Sequence, residues 1–173
     1  MAAATSDRPV AFPPESGFLD AMAALAGGVC VVTALTSEGR PVGFTSTAVM
    51  SLSREPRLLA IGVGHRGRTL PALLEGRRFA LNILHADGEH VSRRFAGPAT
   101  DRFTGLEWSA GGSGGLPVLL AHSSYAVLCR VVRDLPTGDH QLIVAAVEDV
   151  VPGTGGPSAL VYHDRRYHAL GAA

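Results

Sequence analysis

The sequence predicts a mainly β protein: an antiparallel barrel, closed or partly closed, with a few short flanking helices. Three observations carry this. Apolar runs of strand length recur at short spacing through most of the 173 residues. Glycine-rich connections separate them, as in Gly111-Gly112-Ser113-Gly114-Gly115 and the 151–157 segment. Helical spacing appears only in brief stretches.

Along the chain, residues 1–15 are rich in Ala, Pro and polar residues and read as a loose N-terminal arm, with the folded domain over residues 16–173. Phe18, Met22 and Leu25 recur at helical spacing, and Gly27-Gly28 is expected to end that helix. Val29 to Thr36, a Ser-Glu-Gly-Arg turn and Pro41 to Met50 read as a hairpin. Leu58 to Val63 is a strand, Thr69 to Glu75 a short helix, Arg78 to Leu84 a strand, and Asp87 to Phe95 a helix with Val91 and Phe95 four apart. The second half is mostly strand: Pro117 to Leu120, Tyr125 to Arg133, Gln141 to Val151, Ala159 to Tyr162 and Tyr167 to Leu170.

Composition excludes several kinds of function. Hydrophobic residues make up 46% and charged residues 17%, which suits one globular domain rather than a disordered chain. All 15 basic residues are arginines, so a Schiff-base lysine and a P-loop lysine are excluded. They are scattered and balanced by 15 acidic residues, which argues against a nucleic-acid surface. No apolar run approaches the roughly 18 residues of a membrane span, and Met1 to Glu15 has no apolar core of a secretory leader. Cys30 and Cys129 each sit inside an apolar run without a CxxC partner. They read as buried thiols, and a cytoplasmic setting is expected.

Gly62-Val63-Gly64-His65-Arg66-Gly67 is a literal GxGxxG, preceded by a strand, followed by a helix, with Asp87 twenty residues beyond. A dinucleotide fingerprint needs its helix to open inside the motif and a run of alternating helices afterwards. Here the helix starts at Thr69, is short, and is followed by strands. The expectation is that these glycines end an antiparallel barrel strand. Arg66, Arg68 and Thr69 beside them read either as a phosphate grip at a helix N-terminus or as an exposed turn.

Other candidates keep two readings each. Thr45-Ser46-Thr47 cannot turn all three hydroxyls to one face of a strand, so it is a ligand-facing segment or a polar edge. Asn82, within Phe79-Ala80-Leu81-Asn82-Ile83-Leu84, needs partners if buried, and these are the protein itself or a ligand. His140 follows a Gly138-Asp139 turn between two apolar strands, where an imidazole is not required by the turn. The Tyr162 to His168 hairpin is a pocket rim or a solvated turn. No HxH or HExxH spacing occurs, so no metal centre is expected.

Taken in order, these pieces resemble the flavin reductase-like family, from about Phe18 to Leu170. The resemblance is carried by Gly28-Val29-Cys30-Val31-Val32-Thr33, Gly43-Phe44-Thr45-Ser46-Thr47 and Ser51-Leu52-Ser53-Arg54-Glu55-Pro56. It continues through Arg68-Thr69-Leu70-Pro71-Ala72-Leu73, Phe79-Ala80-Leu81-Asn82, Arg94-Phe95-Ala96, Asp101-Arg102-Phe103, Gly138-Asp139-His140 and Tyr162-His163-Asp164-Arg165-Arg166-Tyr167. It implies a split barrel of Greek-key type and an NAD(P)H-dependent flavin reductase that passes hydride from NADH, or NADPH, to FMN or FAD. The reduced flavin would supply a partner monooxygenase. The resemblance also implies a homodimer.

By the same resemblance, Thr45, Ser46, Thr47 and Ala48 lie along the flavin ring system, and Gly67, Arg68 and Thr69 lie near its phosphate. Thr33, Phe44, Ser51 and Asn82 complete the cofactor site. His140, with Arg165 and Tyr167, stands on the nicotinamide side, His140 being the candidate catalytic residue. Gly67 stands where the family usually has serine, and Ala48 and Met50 replace commoner hydroxyl residues. The alternative from another class is a split-barrel flavin- or haem-binding protein without turnover.

Overall fold

The computed structural model describes residues 14–98 and 101–171. The expected arm lies outside the described residues except for Pro14 and Glu15, and Glu15 already belongs to the first helix.

Three helices and twelve strands follow in order: α1 (Glu15–Ala23), β1 (Gly27–Gly28), β2 (Cys30–Leu35), β3 (Pro41–Ser46), β4 (Val49–Arg54), β5 (Arg57–Gly64), α2 (Thr69–Gly76), β6 (Arg78–Leu84), α3 (Glu89–Ala96), β7 (Ser109–Gly111), β8 (Leu116–Val118), β9 (Ser123–Thr137), β10 (His140–Pro152), β11 (Ala159–His163) and β12 (Arg166–Leu170). Every strand pair is antiparallel.

Seven strands form one sheet in the order β3-β2-β6-β9-β10-β5-β4, and its two edges, β3 and β4, are consecutive in the chain. Laid flat, at about 4.8 Å per strand, those edges would stand roughly 29 Å apart. Only Thr47 and Ala48 join them, and three Cα steps reach no more than about 11 Å. The sheet therefore curls until its ends approach, while among the described residues β3 and β4 do not pair with each other: a split barrel. The GxGxxG glycines lie where β5 ends, between antiparallel neighbours β4 and β10, and the dinucleotide-sheet reading is excluded.

The break between β3 and β4 was not visible in the hydropathy pattern, which runs on to Met50. Its cause is local. Ser46 Oγ accepts the Ala48 N–H at 3.1 Å, replacing a ladder bond with a side-chain turn. β9 and β10 run longer than their apolar cores because they keep pairing with each other where their outer neighbours stop: β9 meets β6 only over residues 123–130, and β10 meets β5 only over residues 140–146.

The barrel interior is filled by Val32, Ile61, Leu73, Phe79, Leu81 and Ile143 among others. A second cluster, with Val29, Val31, Phe95, Phe103 and Leu160, glues α3 and the β11–β12 hairpin to the outside. α3 is amphipathic: Val91, Ser92 and Phe95 are buried, while Arg93 pairs with Glu89 one turn away. Phe95 docks on Gly43, where a Cβ would stand 2.9 Å from its ring and 2.8 Å from Val32 O, so only glycine fits. Cys30 and Cys129 are free and buried, and burial pushes both thiols up to about 12.

Candidate cofactor site

Two of the candidate ligand residues meet each other in the core. Thr33 and Asn82 are both fully buried. Asn82 Nδ2 donates to Val31 O and to Thr33 Oγ1, each at 3.1 Å, and its Oδ1 accepts the Leu119 N–H at 2.8 Å. Thr33 Oγ1 in turn donates to Pro117 O at 2.5 Å. Their hydrogen-bonding capacity is spent on tying β2, β6 and the 117–119 segment together.

Five of the other candidates converge. Phe44 and Thr45 from β3, and Gly67, Arg68 and Thr69 at the start of α2, line a cavity of about 420 Å³ together with Phe95, Ala96 and Arg102. Arg66, Arg68 and Arg102 all border it, and no carboxylate does among the described residues. Thr69 is buried as the first residue of α2, and the N-cap is Arg68 rather than Thr69. No side chain caps α2, so its first-turn N–H groups meet no side-chain acceptor. Arg102 is set by donating to Gly43 O and Gly97 O, each at 2.6 Å, and its buried Nε has no partner. Burial and the nearby Arg68 guanidinium both pull the Arg102 pKa down. Such a cavity is shaped and charged for an anionic ligand.

Thr45 also lines a smaller adjoining cavity of about 200 Å³, shared with Thr47, Ala96, Tyr162 and Tyr167. Thr45 Oγ1 donates to Ser92 O at 2.6 Å, and the Ser92 hydroxyl lies 2.9 Å from the Tyr167 hydroxyl. Tyr167 is thereby fixed against α3, with the Arg93 guanidinium over its ring at 4.9 Å. Arg165 is drawn elsewhere: it pairs with Asp20 of α1 at 2.6 Å. Ser51 also stands apart, on the wall of a separate concavity lined by β4, β5 and β10.

His140 reaches the site by strand register. It pairs directly with Gly64 across β10 and β5, and Gly62, two residues back on the same face, sits against Ala48. The imidazole lies over both glycines, within 4 Å of where their Cβ atoms would stand, and is half exposed. Its Nδ1 is 2.8 Å from Asp139 Oδ1, and this contact holds the Asp139 carboxyl below the ordinary range. Of the two, Gly62 is the tighter position: a Cβ there would press on the Ala48 methyl at 3.3 Å.

Arg102 carries no signal in the sequence beyond its place in Asp-Arg-Phe, because its contacts come from Gly43 and Gly97 across the fold. Phe95 and Ala96 read as helix packing, and their second role as cavity wall is likewise tertiary.

A curled antiparallel sheet with an arginine-lined cavity beside a half-exposed histidine defines a barrel whose open side suits an anionic ligand. The chain belongs to the flavin reductase like domain family, whose model matches residues 22–171. It is 43% identical over 150 residues to a flavin reductase (NADH) of Kitasatospora aureofaciens, covering 87% of this chain and 78% of that protein. It is 37% identical over 156 residues to the reductase component of 4-hydroxyphenylacetate 3-monooxygenase of Thermus thermophilus, covering 90% and 97%. Among solved structures, the flavin reductase PheA2 superposes with a TM-score of 0.81 at 29% identity, over 92% of this chain and all (100%) of that one. The NADH:FAD oxidoreductase SgcE6 of Streptomyces globisporus, in complex with NAD and FAD fragments, superposes with a TM-score of 0.83 at 25% identity, over 93% and 96%.

Proposed function

We propose that this protein is an NAD(P)H:flavin oxidoreductase that hands reduced flavin to a separate monooxygenase. The observation that carries the reading is the arginine-lined cavity reached by Phe44, Thr45 and the start of α2, with His140 on the adjoining strand. The relatives named as NADH flavin reductases and as a monooxygenase reductase component support it.

A flavin bound here would supply the redox chemistry of hydride transfer from reduced nicotinamide. The protein's own part is binding and orientation. Arg68 and the uncapped first turn of α2 hold the phosphate, with Gly67 keeping the approach open and Thr69 fixing the helix start. The Thr45–Ala48 segment offers backbone groups to the ring system, since the Ser46 hydroxyl is committed to the turn. His140 positions the nicotinamide through a ring face and a donor, with Asp139 fixing its orientation. Tyr167 closes the opposite side through Ser92.

The partner is a monooxygenase, and the working form is a homodimer. Support for the dimer comes from a concavity of about 840 Å³ whose wall includes Val49, Leu59, Ile83, Val127 and Val147, beside the exposed Met50 and Leu52. Two free buried thiols suit a reducing, cytoplasmic setting. No helix among the described residues is long and apolar enough to cross a membrane.

The test is steady-state NADH and NADPH oxidation with FMN, FAD or riboflavin as acceptor. Turnover that saturates in both nucleotide and flavin is expected. Tight flavin binding without NAD(P)H oxidation would instead make the protein a flavin-binding barrel.

A further inference from the structure

α2 begins beside the arginine-lined cavity and ends at Arg77, a left-handed C-cap residue with φ 53°. A chain of side-chain hydrogen bonds runs from that end of the helix back to the loop before its start. Arg77 Nη1 donates to Asp134 Oδ1 at 2.5 Å, and Gln141 Nε2 donates to Asp134 Oδ2 at 3.2 Å. Gln141 Oε1 in turn meets His65 Nε2 at 3.3 Å. Asp134 lies on β9, Gln141 on β10 directly after His140, and His65 directly after the end of β5. Gln141 is buried at 8% exposure, so its amide has few other partners to turn to.

The hydrogens in this chain are placed by its charged end. The hydrogen bond and charge of Arg77, with a smaller share from Gln141, hold the Asp134 carboxyl below the ordinary range, so it is ionised and only accepts. Gln141 must therefore turn its NH2 to Asp134 and its carbonyl to His65. His65 Nε2 then carries a hydrogen and donates it. His65 is bound a second time, because its backbone N–H donates to Asp139 O at 3.0 Å. One exposed residue is thus fastened to both neighbours of His140. After it come Arg66, Gly67 and Arg68 on the cavity wall, in a turn closed by the Gly67 N–H to Gly64 O at 3.0 Å. His65 itself does not border that cavity.

We propose that His65 is a positioning residue that couples the two ligands of the site. A nucleotide seated against His140 tightens the grip on the flavin phosphate, and the phosphate returns the effect. Both ligands bear on one short segment, residues 64–68, and whichever arrives first restrains it for the other. Asp134 and Arg77 make the contact stiff, since Gln141 is held from behind and cannot follow His65 if the loop moves. Linkage requires the two effects to be equal in size. The inference rests on the flavin-site reading above and adds a dependence between its phosphate end and its nicotinamide end. Riboflavin, without a phosphate, is outside the coupling.

The test is a fluorescence titration of FMN and of riboflavin, each with and without saturating NAD+, which fills the nucleotide side without delivering hydride. In the wild type NAD+ is expected to lower the FMN dissociation constant about fivefold or more and to leave riboflavin unchanged. His65→Phe keeps a ring and loses the donor, and should abolish the NAD+ effect on FMN. His65→Ala removes the same contact without added bulk and should do likewise. His65→Gln sets an amide N–H at similar reach and should restore the effect. In turnover, His65→Phe should raise KM for NADH with FMN as acceptor and not with riboflavin. A wild type without the NAD+ effect, an equal effect on riboflavin, or an effect that survives in both His65→Phe and His65→Ala overturns the assignment. So does His65→Gln that stays uncoupled, since the donor would then be irrelevant. Wild-type protein that binds no flavin, or oxidises no NADH in its presence, overturns the site reading itself. Binding and turnover without coupling overturn only the role of His65.

Discussion

His140 Nε2 lies 3.7 Å from the point where a Cβ would stand on Gly64, its direct partner across β10 and β5. An alanine methyl meets the ring there at ordinary contact distance. A branched side chain occupies the space the ring needs. Gly64→Val should therefore displace the imidazole and lower kcat/KM for NADH about tenfold, a loss of roughly 1.4 kcal/mol. Gly64→Ala should keep most of the rate. The ring resonances of His140, followed by NMR in both variants, check that the ring has moved and that the barrel is intact. An unchanged rate in Gly64→Val would remove His140 from the nicotinamide side.

Arg68 borders two cavities and forms no ion pair among the described residues. A guanidinium on a phosphate makes charge-assisted hydrogen bonds of about 1.5–3 kcal/mol. Arg68→Ala should weaken FMN by an order of magnitude or more and leave riboflavin, which has no phosphate, within a factor of about two. Calorimetric titration of both ligands tests this, and equal weakening would point to a folding effect.

Asn82 gives a prediction about stability rather than binding. Asn82→Leu leaves the buried Leu119 N–H without an acceptor and removes the donor to Val31 O. The expected cost is about 2–3 kcal/mol, visible as a lower urea midpoint with little change in slope. A flavin affinity that falls while the urea midpoint holds would show that Asn82 serves the ligand instead.

His122 gives a pH dependence. Burial, then the neighbouring His90 and His85, lower its pKa from 6.5, against a small opposing pull from Glu107. Its Nε2 is buried without a partner, and its ring meets His90 edge to face at 5.2 Å. Because the unfolded chain binds this proton more readily, the contribution is fully present above about pH 6.5 and declines as pH falls toward the lower folded value. Melting temperatures measured from pH 7.5 down to 5.5 should fall more steeply for the wild type than for His122→Gln.

Strand positions were legible in the sequence wherever an apolar run was bounded by turn residues. Arg78 to Leu84 matches β6 at both ends. The Thr69 helix and the antiparallel setting of the Gly62–Gly67 segment were legible for the same reason. What failed was anything decided by a partner far along the chain. Asn82 reads as a polar residue in an apolar strand, and only the packing of residues 117–119 shows that its amide is satisfied internally. Arg165, placed on the nicotinamide side by resemblance, pairs instead with Asp20, which α1 brings beside it. Arg102 and Trp108 carry no site signal in the sequence, because the cavities they line are made by β3 and α2 approaching from elsewhere. The start of β4 was missed on a single side-chain-to-backbone bond, from Ala48 N–H to Ser46.

The strand order also governs when the molecule can form during synthesis. β2, β3 and β6 make one half of the seven-stranded sheet and β4 and β5 the other, and the two halves meet only through the β9–β10 hairpin at residues 123–152. Until that hairpin has left the ribosome, the earlier strands have no surface on which to complete the core. A chain halted before Ser123 would carry two sheet fragments linked by chain connections but by no strand pairing, with their apolar faces open. Folding is therefore postponed to the last third of translation, and the nascent chain must be kept from aggregating until then.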